Sequence, residues 1–202
     1  MPGVRPGRGG VVFWDGQLVD DARLVVSLAR TAAAFGARVL TGATVTEVDG
    51  DRVALTVDGT ALTVRAGVVV NAAGVWAQRL APGVALVPSR GSHLVLPASL
   101  LGSPTAALTV PLPGSRSRYV FVLPQGRGLV HRYGTEAPVV AALGVEPVVE
   151  GRPETVGELP FAVRAEGARS VADLLDRRTR IGLVTAERAR AEPVAEAVLA
   201  EP

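Results

Sequence analysis

The chain has 202 residues, a formal net charge of +2 and apolar side chains at 48% of its positions, which suits one domain or two small ones. It contains no cysteine, so disulfides, thiol catalysis and cysteine metal sites are excluded, and His93 and His131 form no metal motif. All 21 basic residues are scattered arginines, which gives no basic stripe for nucleic acid. No apolar run is long enough for a spanning helix, and the first ten residues lack the apolar region of a secretory signal.

A helix is predicted from about Asp20, because Asp20 or Asp21 suits its N-cap and Gly36 suits its C-cap. Apolar residues recur along it at helical spacing and form one face, the pattern of a helix that packs on a core. These residues are Leu24, Val25, Leu28 and Ala32.

Residues 37–74 predict four strands, with turns near Asp49-Gly50 and Asp58-Gly59. The last of them ends in the valine run 68–70, which is typical of a strand buried on both faces. Two further strands are predicted within 85–97 and 116–124. After about residue 128 the pattern becomes helical.

The stretch "VVVNAAGVWA", residues 68–77, is the strongest candidate for a binding element. Its small side chains after a buried strand let the backbone approach a ligand closely. An ordinary strand-to-helix turn is the alternative interpretation of the same residues.

Several segments, taken together and in order, resemble the FAD-dependent, quinone-linked glycerol-3-phosphate dehydrogenases. "WDGQLVDDARLVVSLARTAAAFGARVL" (14–40) is similar to the helix that leads into the adenine-side strand, and residues 68–77 resemble a second flavin-contact strand. Residues 88–97 and 118–124 resemble paired strands of the substrate sheet. "ELPFAVRAEGARSVADLLDRRTRIGL" (158–183) resembles the helical C-terminal domain and is the most specific match.

The resemblance implies a mixed α/β fold, in which a partial flavin and substrate sheet is followed by a small helical domain. We expect residues 1–127 to form the partial flavin and substrate domain and residues 128–202 the helical one. The implied cofactor is FAD. The implied reaction oxidises sn-glycerol 3-phosphate to dihydroxyacetone phosphate and passes the electrons to a quinone, without a metal or nucleic acid.

The resemblance also implies roles for particular residues. His93 would take the proton of the substrate hydroxyl, since a histidine that titrates near neutral pH suits a general base. Arg90 and Arg118 would bind the phosphate, for which the planar guanidinium is well suited. The implied flavin contacts are Thr44, Val45, Asn71, Ala72, Ala73, Gly74 and Trp76.

Two departures from the family pattern lead to a further expectation. The family begins with a strand, a Gly-x-Gly-x-x-Gly turn and a helix that receives the FAD pyrophosphate, whereas the glycines of residues 6–10 lack that spacing. The substrate-sheet and C-terminal segments also abut near 125–129, where the family has a long intervening segment. We therefore expect a chain that is truncated at its N-terminus, carries an internal deletion and does not hold FAD alone.

Two other interpretations remain open, namely a non-catalytic remnant that binds an intact paralogue and a pseudogene product. The resemblance implies a cytoplasmic protein, or at most one that is peripheral at the inner face of the membrane.

Overall fold

The computed structural model describes residues 9–114, 118–124 and 128–201. They form two compact units. The first, here called the helical unit, combines Met1–Gly36 with Leu96–Pro202, and the second, the sheet unit, is Ala37–Val95. The glycine run at 6–10 and the expected deletion point at 125–129 lie partly outside the described residues.

Helix α1, Asp21–Ala34, has the predicted N-cap Asp20, whereas its C-cap is Phe35 and the predicted Gly36 follows it. The carboxylate of Asp20 accepts a hydrogen bond from the backbone N–H of Arg23 at 3.1 Å. After the helix, Gly36 has a φ of +92°, a left-handed conformation that glycine adopts without a Cβ penalty. The predicted core face is wrong, however, since Leu24, Val25 and Leu28 are exposed and the buried residue of the helix is Arg23.

The sheet unit contains a three-stranded antiparallel meander in the order β1-β2-β3. The strands are β1 (Ala43–Asp49), β2 (Arg52–Val57) and β3 (Thr60–Arg65). Both predicted turns lie between these strands. The predicted fourth strand does not form, because residues 66–73 adopt neither helix nor strand, and they lead into a 3-10 helix at Gly74–Arg79.

The helical unit contains a short hairpin of β4 (Leu108–Pro111) and β5 (Tyr119–Val122). Strand β5 confirms the strand predicted within 116–124. The strand predicted within 85–97 is wrong, since those residues are irregular up to a 3-10 helix at Ala98–Leu101. The partner of β5 is therefore β4, which contributes Leu108 opposite Val122, and not the segment 88–97.

The region after residue 128 is helical, as predicted, and it holds most of the buried apolar side chains. Its elements are α2 (Leu129–Tyr133), a 3-10 helix (Gly134–Glu136), α3 (Ala137–Ala141), α4 (Glu158–Glu166), a π-helical segment (Asp173–Arg178), a 3-10 helix (Ile181–Leu183) and α5 (Thr185–Ala200). The observed helices and small antiparallel sheets confirm a mixed α/β fold.

Two apolar clusters form the core of this region. In the larger, Leu159, Leu174, Leu175 and Ile181 are fully buried with the small residues Ala191 and Ala195 of α5. The smaller contains Tyr133, Ala137, Val140 and Phe161. Gly157 allows the start of α4 to approach α3, because a Cβ there would lie 2.4 Å from the carbonyl oxygen of Val140.

Candidate functional site

The candidate flavin segment is a turn held by one asparagine side chain. The Asn71 Oδ1 accepts a hydrogen bond from Ala73 N at 3.2 Å, and its Nδ2 donates to the carbonyl oxygen of Ala77 at 2.9 Å. These two bonds close the turn before the 3-10 helix Gly74–Arg79. Both bonds are local, since they join residues no more than six positions apart.

The surroundings of this turn are open. Gly74 has a φ of +55°, and a Cβ built on it would meet nothing within 4 Å. Trp76 is 61% exposed, and Val68 and Val70 are each 82% exposed. The turn is therefore exposed, and its role as a flavin contact stays a prediction.

Thr44 and Val45 lie on strand β1, which belongs to the same unit. They pair with Thr56 and Leu55 of β2, and the register shifts directly after Val45, as in a β-bulge. Both side chains are exposed. The irregular backbone at this position can change the direction in which the side chains point. Among the described strands, β1 pairs with β2 alone.

The candidates for substrate binding are divided between the units. Arg90 and His93 are exposed in the irregular part of the sheet unit, whereas Arg118 precedes β5 in the helical unit. The carbonyl oxygen of Arg118 accepts a hydrogen bond from Leu112 N at 3.0 Å across the hairpin. Among the described residues, no hydrogen bond joins Arg90 or His93 to the turn at Asn71.

A bound FAD would require a concave site at these residues. Ligand sites are clefts that cover most of the ligand surface. Two shallow hollows occur elsewhere, one of about 210 Å³ on the meander beside Glu47 and Arg52, and one beside Arg30 and Glu136. Neither is lined by a candidate flavin residue. Because Asn71 and Trp76 are themselves exposed, the turn as it stands does not enclose a flavin.

The described part of the chain shows neither a metal-binding cluster nor a helix that could span a membrane. It holds no group of three or more His, Cys, Asp or Glu side chains placed to bind a metal ion. None of its helices has both the length and the apolar character needed to cross a bilayer.

Two titratable groups with raised pKa values, Tyr133 and Glu158, belong to the helical unit and are not among the candidates. Burial raises the pKa of the Tyr133 hydroxyl, and burial also raises the pKa of Glu158 despite the nearby Arg132. The Glu158 carboxylate accepts hydrogen bonds from Arg132 at 2.6 Å, from Thr155 N at 2.7 Å and from the Tyr133 hydroxyl at 3.0 Å. Because these partners surround it, Glu158 ties α2 to α4 and stands as a structural group.

No signal in the sequence predicts this cluster. Arg132 and Tyr133 are adjacent on a short helix, and Glu158 follows more than twenty positions later with no motif that links them. The cluster depends on how α2 packs on α4, which local patterns do not report.

The comparison with protein families identifies the class. The sequence profile described as FAD dependent oxidoreductase matches residues 1–192, so the chain belongs to that family. Within it, the chain is 50% identical over 127 residues to Glycerol-3-phosphate dehydrogenase 1 of Mycobacterium tuberculosis strain H37Rv. That match covers 61% of this chain and 24% of the relative. It confirms the resemblance to glycerol-3-phosphate dehydrogenases.

Two more distant relatives carry related names. Glycerol-3-phosphate dehydrogenase 2 of the same strain is 29% identical over 177 residues, covering 75% of this chain and 29% of the relative. The mitochondrial Glycerol-3-phosphate dehydrogenase SDP6 of Arabidopsis thaliana is 36% identical over 132 residues, covering 58% and 20% respectively. The chain thus spans only about a quarter of the length of the curated relatives it matches. No solved structure matches it.

Proposed function

We propose that this chain carries part of an FAD-dependent glycerol-3-phosphate dehydrogenase and that, by itself, it neither holds FAD nor oxidises sn-glycerol 3-phosphate. The observation that carries the proposal is the exposure of the turn at Asn71 and of Trp76 beside it. A flavin seated on this turn would keep most of its surface in water.

The free energy that FAD binding would require supports this proposal. Fully burying one apolar side chain stabilises a complex by roughly 1.5–3 kcal/mol, and charge-assisted hydrogen bonds to a phosphate add about 1.5–3 kcal/mol each. The apolar side chains beside Asn71, among them Val68, Val70 and Trp76, lie largely in solvent. Association must also offset an estimated 4–15 kcal/mol of lost translational and rotational freedom.

The roles of individual residues are proposals for the complete enzyme. There, Thr44, Val45 and the segment 71–76 would contact FAD, His93 would act as the base, and Arg90 and Arg118 would hold the phosphate. In that setting the substrate is glycerol 3-phosphate and the electron acceptor is a quinone. We place the protein in the cytoplasm, with any membrane contact limited to the inner face.

The test compares the purified chain with the intact Mycobacterium tuberculosis relative, expressed and handled in parallel with added FAD. We expect the relative to show the visible flavin absorption band and to reduce a quinone analogue with glycerol 3-phosphate. We expect this chain to be colourless after gel filtration and to show no turnover. A stoichiometric flavin band in this chain would overturn the proposal.

A second candidate is a non-catalytic module that binds an intact paralogue. The observation in its favour is a set of strongly exposed apolar side chains in the sheet unit, among them Val87 at 96% and Leu94 at 84% exposure. Co-purification of a tagged chain with a co-expressed full-length relative would support it, and a lone monomer would contradict it. A pseudogene product is the third reading, and failure to detect the protein in cells by mass spectrometry would favour it.

A further inference from the structure

Helix α1 is attached to the helical unit by its charged face. Its large apolar side chains Leu24, Val25 and Leu28 point to solvent, whereas Arg23 is buried and Arg30 is half-buried. An amphipathic helix normally buries its apolar face and exposes its charged side chains.

On the same side of the helix Val26 and Ala29 are partly buried, and at its start Asp20 and Asp21 pair with Arg180 at 3.1 and 3.0 Å. The two arginines are the longest side chains that α1 inserts into the helical unit, so what receives them contributes to its attachment.

Arg23 enters a site made of an aromatic ring and a carboxylate. Its guanidinium lies over the Tyr133 ring, 4.0 Å from the centroid. It forms an ion pair with the Glu166 carboxylate, which is itself buried, and Nη2 donates to the carbonyl oxygen of Arg178 at 3.2 Å. Burial acts against the charged form of Arg23, but Tyr133, Glu166 and Asp20 outweigh it and raise its pKa.

Arg30 enters a second site of the same composition. Its two terminal nitrogens donate to the two oxygens of Glu136 at 2.9 and 2.8 Å, a bidentate pair. Its guanidinium carbon lies 5.9 Å from the centroid of the Phe161 ring. Each arginine of α1 therefore has a glutamate carboxylate and an aromatic face among its partners.

The two sites form one continuous surface. The rings of Tyr133 and Phe161 pack edge to face with centroids 5.4 Å apart and an interplanar angle of 88°. Arg23 and Arg30 are seven residues apart, which places them on nearly the same side of a helix, two turns from each other. The spacing along α1 thus matches two sites built on adjoining rings.

The chemistry of this surface favours selectivity for its occupant. A buried ion pair contributes little net stability compared with apolar packing, yet a site left with one charge unpaired is strongly unfavourable. An occupant without guanidinium groups at these two positions would leave the Glu166 carboxylate buried beside Arg178 alone, whose Nε lies 3.7 Å away.

We propose that Tyr133, Phe161, Glu136 and Glu166 form a recognition site for a helix with two arginines seven residues apart, and that its occupant is helix α1. This site ties the N-terminal part of the chain to the helical elements more than a hundred residues later. It does not depend on the proposed function. The same surface accepts the α1 sequence supplied by a second molecule when the chain's own helix lacks the arginines.

The test uses the full chain with Arg23→Ala and Arg30→Ala, together with labelled peptides of residues 18–36. By fluorescence anisotropy, the natural peptide binds this variant chain saturably, and a peptide with the same two alanines binds at least about tenfold more weakly. A peptide with Leu24→Ala and Leu28→Ala binds as well as the natural one. The wild-type chain, whose own α1 fills the site at high effective concentration, binds weakly.

Three results would overturn the proposal: no binding of the natural peptide by a variant chain that retains its circular dichroism, equal binding of the natural and arginine-free peptides, or a larger loss from the leucine changes. If the double variant does not fold, a double-mutant cycle on the intact chain decides the matter. Arg30→Ala and Glu136→Ala are suited to it, because both side chains are partly exposed, at 37% and 40%. Hydrogen exchange of α1 then rises severalfold in each variant, with no further rise in the double variant, whereas additive effects would refute the pairing.

Discussion

The helical elements after residue 128 are expected to provide most of the stability of the chain, and Leu174→Ala tests this. Leu174 is fully buried in the π-helical segment, within the cluster that contains Leu159, Ile181 and Ala191. Replacement of a fully buried leucine by alanine removes its transfer free energy and leaves a cavity, at a cost of about 2–5 kcal/mol. This is a large part of the margin of about 5–15 kcal/mol that is typical of native proteins.

The assay must follow the right part of the chain. Trp14 and Trp76 are 98% and 61% exposed, so tryptophan fluorescence does not report on this core. The two compact units also make a single global transition a poor assumption. Hydrogen exchange of the amides in α4 and α5, measured by mass spectrometry, reports the local free energy of opening instead.

Leu183→Ala is the matched control, since Leu183 lies in the same unit but its side chain is 65% exposed. We expect it to change the free energy of opening by no more than about 0.5 kcal/mol. A loss below about 1 kcal/mol for Leu174→Ala, or an equal loss for both variants, would refute the assignment of the core to these helices.

Three further outcomes are expected. The exposed valines 68–70 form an apolar surface through which copies of the chain are expected to self-associate, so replacing all three by threonine should lower dye binding and light scattering; unchanged values would refute this. The hydrogen bond from Arg30 lowers the pKa of Glu136, so its contribution is present above the unfolded-state pKa and lost as pH falls through the folded-state value. Hydrogen exchange of α1 should therefore rise in acid, and Glu136→Gln should remove that part of the pH dependence. Gly157→Ala should destabilise α4 by about 1–3 kcal/mol because its Cβ would collide with a carbonyl oxygen of α3, whereas Gly128→Ala, with its nearest contact at 3.6 Å, should melt like the wild type.

Local signals in the sequence predicted the local elements well. The N-cap at Asp20, the glycine at 36 and the turns of the meander depend on neighbours within a few residues, and the structure has all of them. The helical character after residue 128 was likewise visible in the pattern. These features need no knowledge of the partner surfaces.

Tertiary context explains what the sequence did not predict. The valine run 68–70 has the composition of a doubly covered strand, but no strand of the described chain pairs with it. The apolar face of α1 was expected to be buried. Instead, Arg23 and Arg30 pack over the rings of Tyr133 and Phe161 in the helical unit. No local pattern could report that surface, because its residues come from positions 133 to 166.

For the candidate site, the sequence predicted the family, and the family comparison confirms it. The hydrogen bonds of Asn71 were not predicted, and the flavin contacts of residues 71–76 stay predictions. The roles of His93, Arg90 and Arg118 stay predictions, since they depend on the complete enzyme.

Titration of the purified full chain with FAD, followed by hydrogen exchange of residues 66–80, tests whether the chain holds FAD by itself. We expect no saturable change in flavin fluorescence and no protection of this segment, and we expect the intact Mycobacterium tuberculosis relative to bind FAD under the same conditions. Binding of one FAD per chain, with protection centred on Asn71, would contradict this expectation.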